Sequence, residues 1–144
     1  MKNTLKKLAL EMRFRYYYVM FVITKKENRT EFSQYARFFD ESCTGWTKDA
    51  EYNLLFLKQQ QANATSLLEK KGFLFLNEVY EMLGIPFSKE GQLVGWIYNK
   101  DNPIGDNYVD FGLYDISRNR GFVNGFERSV LLDFNVDGMI FDKL

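Results

Sequence analysis

From Asp49 to Lys71 the chain reads DAEYNLLFLKQQQANATSLLEKK, with neither glycine nor proline, and a helix over these residues is the strongest constraint on the fold. Thr47 or Asp49 supplies the N-cap. Asp49 and Glu51 suit the positive end of the helix dipole, and Lys70 and Lys71 suit the negative end. Leu54, Leu57, Gln61, Ala64 and Leu68 step along one face, and Gly72 stops the helix as a left-handed C-terminal residue. The polar middle, KQQQANATS, reads as a solvated face, with a recognition face as its alternative. A second helix is expected from Phe73 to Leu83, ended by Gly84 and Pro86, with Phe73, Leu76, Val79, Tyr80 and Leu83 as its buried stripe.

After Gly95 the texture turns to strands and turns. GWIYN reads as a short strand and KDNPIGDN as a loop. Asn107 to Asp115 (NYVDFGLYD) and Ser129 to Asp137 (SVLLDFNVD) alternate apolar with polar residues, so they are expected as the inner pair of a small sheet. The connector between them, SRNRGFVNGFER, has room for one helical turn, and MIFDKL returns as an edge strand after the Asp137-Gly138 turn. Upstream, Glu31 to Thr47 reads as a short helix or loop whose Tyr35, Phe38, Phe39 and Trp46 plug the core. At the N-terminus Leu5, Leu8, Ala9 and Met12 have helical spacing, and Phe14 to Thr24 favours a strand, with one continuous helix as the competing reading. The expectation is a single α+β domain over residues 1–144: two consecutive helices packed on a small, mostly antiparallel sheet, with residues 1–34 as a variable N-terminal segment.

Aromatic residues make up 17% of the chain, which gives burial ample material. Nineteen Lys and Arg balance nineteen Asp and Glu, an argument against a general nucleic-acid binder, whose phosphate contacts call for a basic surplus. Lys and Arg crowd the first 30 residues while Asp is frequent after position 100, so a basic end and an acidic end are available to a protein partner. The single cysteine, Cys43, forms no internal disulfide, and with no second Cys or His beside it no reactive role is expected; a reducing, cytoplasmic setting is. The absence of histidine excludes Ser-His-Asp and Cys-His triads, His-ligated zinc and His acid–base catalysis. The apolar run from Tyr16 to Ile23 is far below the roughly 20 residues of a spanning helix, and no cleavage site follows it. A core strand or docked helix is preferred there over an interfacial contact.

Three patterns invite a chemical reading. Asp133, Asn135, Asp137 and Gly138 match the start of a calcium loop, D-x-[DN]-x-[DN]-G. The twelfth position is Leu144 rather than a bidentate Glu, and the preceding SVLL is strand-like, so a polar sheet face ending in a turn is preferred. Asp110-Phe111-Gly112 matches the magnesium tripeptide of protein kinases without any of its partner motifs, and is a coincidence. Asp101, Asp106, Asp110, Asp115, Asp133, Asp137 and Asp142 supply carboxylates for a metal-dependent nuclease, but no basic groove or partnering Lys accompanies them. No catalytic residue and no cofactor is assigned. The candidate partner anchors are Tyr16, Tyr17, Tyr18, Trp46 and Trp96, with Asp101 and Asp106 on loops able to imitate phosphates.

The blocks YARFFDES, DAEYNLLFLKQQQ, GFLFLNEVYEMLGIP, KEGQLVGW, GDNYVDFGLYD, FVNGFERS and LLDFNVDG, in that order from about Tyr35 to Leu144, resemble an uncharacterised family encoded by phages and prophages of Firmicutes. The resemblance carries no activity. It implies a small, cofactor-free phage protein that acts by binding a host or phage protein, for instance as an inhibitor of a host defence component such as a CRISPR effector. A virion or assembly component is the alternative, and a metal-dependent enzyme using the clustered carboxylates is a second one.

Overall fold

The computed structural model describes residues 32–144. The helix and strand expected before Thr24, the run Tyr16–Ile23, and Tyr16, Tyr17 and Tyr18 lie outside the described residues. Ser33–Leu144 forms one compact α+β unit.

In chain order the elements are β1 (Arg37–Phe39), α1 (Ala50–Lys71), β2 (Phe73–Phe75), α2 (Leu76–Leu83), β3 (Val94–Ile97), α3 (Ile116–Val123), β4 (Val130–Leu132) and β5 (Gly138–Met139). Two small antiparallel sheets result, β1-β4 and β2-β3-β5. Helix α1 is the long element that the sequence demands. Asp49 caps it, accepting from the backbone N–H of Glu51 and Tyr52 at 3.0 and 3.3 Å. Gly72 ends it at φ +87°, its N–H returning to the Leu68 carbonyl at 2.8 Å.

The second helix starts later than its pattern suggests. Phe73, Leu74 and Phe75 are extended as β2, paired with Ile97, Trp96 and Gly95. Gly72 turns the chain sharply out of α1, and three large residues in a row suit a pleated, half-buried strand. The Glu78 carboxylate then accepts from the Phe75 N–H at 2.9 Å and sets the true start of α2. Pairing also fixes one glycine: a Cβ on Gly95 would run into the Leu74 carbonyl oxygen, so β2 and β3 approach here as only Gly allows.

Nor are Asn107–Asp115 and Ser129–Asp137 the inner pair of a sheet. Regular pairing is confined to Val130–Leu132, whose partner is β1: Arg37 lies opposite Leu132 and Phe39 opposite Val130. The alternation nevertheless sorts the faces. Val109, Phe111, Leu113, Leu132 and Phe134 are buried, while Tyr108 and Tyr114 point outward. The two stretches do run alongside each other, through Asp133 N–H to Phe111 C=O and Asn135 N–H to Asp110 C=O, both 3.1 Å. What prevents a ladder is competition from side chains. Thr65 and Gln61 of α1 accept from the Val109 and Phe111 N–H groups at 3.1 and 2.8 Å, and Asn135 Oδ1 accepts from the Asp110 N–H at 2.7 Å. Backbone donors buried against a helix must find acceptors, and here the helix supplies them.

The core fills the space between α1, α2 and the sheets. Tyr80 and Phe111 both meet Phe134 edge-on, with centroids 5.7 and 5.3 Å apart, and Phe39 stacks on Phe56 at 5.7 Å. The Tyr80 hydroxyl donates to the Tyr35 carbonyl at 2.8 Å, and Ser33 donates twice to Asp133, so the start of the unit is tied to both the core and the far end of the chain.

Candidate functional site: a tyrosine-lined acidic groove

The stretch from Tyr98 to Asp115 carries four Asp and one Lys, and its backbone is pinned along most of its length. Asn99 and Asn107 hold the loop base reciprocally: Asn107 Oδ1 accepts from the Asn99 N–H at 3.1 Å and Asn107 Nδ2 donates to the Asn99 carbonyl at 3.0 Å. Asn107 takes φ +65°, a left-handed conformation that Asn tolerates better than most residues. Asn99 Oδ1 also accepts from the N–H groups of Asp101 and Asn102, which shapes the tip.

Asn135 is the hub. Its Oδ1 accepts from Trp96 Nε1 at 2.9 Å and from the Asp110 N–H, and its Nδ2 donates to Asp106 Oδ2 and to the Tyr108 carbonyl, both 3.0 Å. With its side chain engaged on all four sides, Asn135 clamps these segments together. Its neighbours in the calcium-like pattern are drawn elsewhere: Asp133 to Ser33, and Asp137 Oδ2 to the Ile97 N–H at 3.0 Å. Burial raises the Asp137 pKa and nearby Asp106 raises it further, against the Ile97 hydrogen bond that lowers it. Among the described residues no group of three His, Cys, Asp or Glu side chains is placed to hold a metal ion.

The strapping of residues 107–115 leaves an open groove of about 440 Å3 lined by Gln61, Tyr108, Asp110, Gly112, Tyr114 and Asp115. Tyr108 and Tyr114 are 48% and 52% exposed although the backbone beneath them is fixed. Asp110 Oδ1 accepts from the Gly112 N–H at 2.8 Å, and Asp115 pairs with Arg118 at 3.3 Å. Burial lowers the Arg118 pKa, and the carboxylates of Asp115, Asp133 and Asp110 oppose that shift. The groove therefore offers aromatic rings and carboxylate edges on a preorganised floor. Gln61 and Asp110 both hold backbone within it.

The anchors expected from sequence divide. Asp101 and Asp106 are exposed on the loop, as their positions suggest. Trp46 is half-buried, with Nε1 donating to the Arg128 carbonyl at 2.9 Å. Trp96 corrects the expectation outright: it is fully buried in β3 and belongs to the core, because the strand register turns it inward opposite Leu74. Tyr108, Tyr114 and Phe126 were missed. The two tyrosines were detectable as the out-of-phase positions of the alternation that buries Val109, Phe111 and Leu113; Phe126 follows the Asn124-Gly125 turn, where Gly125 takes φ +84°. Among the described residues no helix is long and apolar enough to cross a membrane.

A family model described as "Family of unknown function (DUF6353)" matches residues 17–144, reaching upstream of the Tyr35 boundary read from the sequence blocks. No curated protein and no solved structure matches the chain.

Proposed function

The chain belongs to DUF6353, a family of unknown function, and we propose from its residues that it is a non-enzymatic protein-binding protein that uses the Tyr108–Tyr114 groove. The observation that supports this most is the pair of half-exposed tyrosines on a floor held from both sides by Gln61, Thr65 and Asn135. Rigid tyrosines lose little conformational entropy on binding and commonly anchor interfaces. The carboxylates of Asp101, Asp106, Asp110 and Asp115 favour a partner that presents Lys or Arg.

The finer reading is a phage-encoded protein that binds and inhibits a host defence component, such as a CRISPR effector, in the bacterial cytoplasm. An inhibitor of this kind needs roughly 800 Å2 of surface and no active site, and acids beside tyrosines suit a nucleic-acid-binding partner whose basic channel they would occupy. The experiment is a pull-down from infected host lysate with the chain and its Tyr108→Ala/Tyr114→Ala variant. Capture of a host protein by the first and not the second supports the reading; capture of phage structural proteins alone overturns it. The second reading, a virion or assembly component, is favoured by one observation, the protruding Phe126, 85% exposed.

A further inference from the structure

Phe126 is the most exposed large apolar side chain among the described residues, yet its backbone is fixed. The Phe126 and Glu127 N–H groups both donate to the Gly121 carbonyl, at 2.7 and 3.1 Å, and Gly125 N–H donates to Phe122 C=O at 3.1 Å. The loop base is held again at Arg128, whose carbonyl accepts from Trp46 Nε1 and Asn53 Nδ2 at 2.9 Å each. A rigid loop that holds a phenylalanine in water is a preformed knob. Exposed Arg120 and Arg128 flank it in sequence.

The tyrosine groove has the complementary character: aromatic walls, an open volume of about 440 Å3, and the carboxylates of Asp110 and Asp115. The two features lie at opposite ends of one helix. Asp115 precedes α3 and Phe126 follows it, and the helix between them is kinked at Asn119. They also border neighbouring positions of α1: Gln61 reaches the groove floor at Phe111, while Asn53, two turns earlier, reaches the knob base at Arg128.

We propose that the chain pairs with a second copy of itself about a two-fold axis, Phe126 of each copy seated in the Tyr108–Tyr114 groove of the other. The proposal rests on the groove being a protein-binding surface and names one occupant for it. A two-fold axis makes the two knob-in-groove contacts equivalent, so both form at once, as an isologous interface requires. Arg120 and Arg128 then face a surface containing Asp110 and Asp115, which makes the pairing salt-sensitive. Two knobs of roughly 150–250 Å2 each bury about 300–500 Å2 of side-chain surface, well under the roughly 1,200 Å2 at which stable interfaces begin, so the dimer is weak and concentration-dependent.

Sedimentation velocity on the full chain, over roughly 1 μM to 500 μM, tests this. The expected result is a monomer–dimer equilibrium that shifts toward monomer in high salt. Phe126→Ser and Tyr114→Ala, both at exposed positions, should each weaken it by about tenfold or more. Mixing the two variants should restore dimer above either alone, since each mixed pair keeps one intact knob and groove. A wild-type monomer at every concentration, a dimer insensitive to Phe126→Ser, or a mixture no better than its components would each overturn the pairing. None of these results bears on a different partner in the groove, which the host pull-down reads separately.

Discussion

The indole N–H of Trp96 donates to Asn135 Oδ1 at 2.9 Å, and through that one side chain the middle strand β3 is joined to the groove wall at Asp106, Tyr108 and Asp110. Replacing Asn135 by alanine leaves the Trp96 and Asp110 donors without acceptors in a part-buried setting. Each orphaned group costs about 1–3 kcal/mol, so Asn135→Ala is expected to lower stability by about 2–4 kcal/mol in urea unfolding. A loss below about 0.5 kcal/mol would mean that water replaces the amide at no cost.

Asn53 is fully buried in the first turns of α1 and links three segments. Its Oδ1 accepts from the Thr47 N–H at 2.9 Å, and its Nδ2 donates to the carbonyls of Thr47 and Arg128 at 2.8 and 2.9 Å. Asn53→Ala is expected to cost about 2–3 kcal/mol. Hydrogen exchange should quicken at Thr47 and around Arg128, while the C-terminal turns of α1 keep their protection.

Asp137 gives a pH signature. Its pKa is raised in the fold, mainly by burial, so the folded state holds that proton more tightly than the unfolded chain does. The contribution is stabilising while the group is protonated and is lost as pH rises from the ordinary aspartate range through the raised folded value. Asp137→Asn keeps an acceptor for the Ile97 N–H and removes the charge facing Asp106. The melting temperature of the variant, minus that of the wild type, should grow across that window; a difference that shrinks or stays level with pH contradicts the assignment.

The Tyr80 hydroxyl, buried and donating to Tyr35 C=O, has its pKa pushed up to about 12, chiefly by burial and against the nearby Arg37. Ultraviolet titration should show one tyrosine ionising well after the exposed ones, and Tyr80→Phe should remove that late step. The same variant is expected to cost about 1 kcal/mol, the ordinary worth of one hydrogen bond.

Calcium should leave the protein unchanged. Asp133, Asn135 and Asp137 are each held by a different internal partner, so millimolar calcium, magnesium or manganese is expected to give no binding heat and no shift in melting temperature. A saturable heat with any of them would reinstate the calcium-loop and nuclease readings together.

These cases mark how far the sequence could be read. The course of α1, its caps at Asp49 and Gly72, the strand at Val94–Ile97, and the inward phase of Val109, Phe111 and Leu113 all follow from local pattern, because propensity and periodicity act over a few residues. Strand partnership was not legible. The expected pairing of Asn107–Asp115 with Ser129–Asp137 failed because Thr65 and Gln61, more than 40 positions away, take the donors a ladder would use. Phe73–Phe75 read as the first turn of a helix, and the strand they form depends on pairing with Gly95–Ile97, which no local pattern shows. Trp96 was misread for a related reason: exposure of an aromatic in a short strand depends on which face the neighbours cover, and that is tertiary information.

The pairing of Arg37 with Leu132 has a kinetic consequence. Arg37 and Leu132 are 95 positions apart, and Ser33 reaches Asp133 across 100. Closing so long a loop is entropically costly and comes late, whereas α1, β2 and α2 are assembled from neighbours. On a translating ribosome the helical part can form early, but Phe39 keeps one side open until Val130 has emerged. The interval exposes the Phe39–Phe56 stack to other chains, so prompt closure of β1 on β4 is the step at which newly made protein is most vulnerable to aggregation.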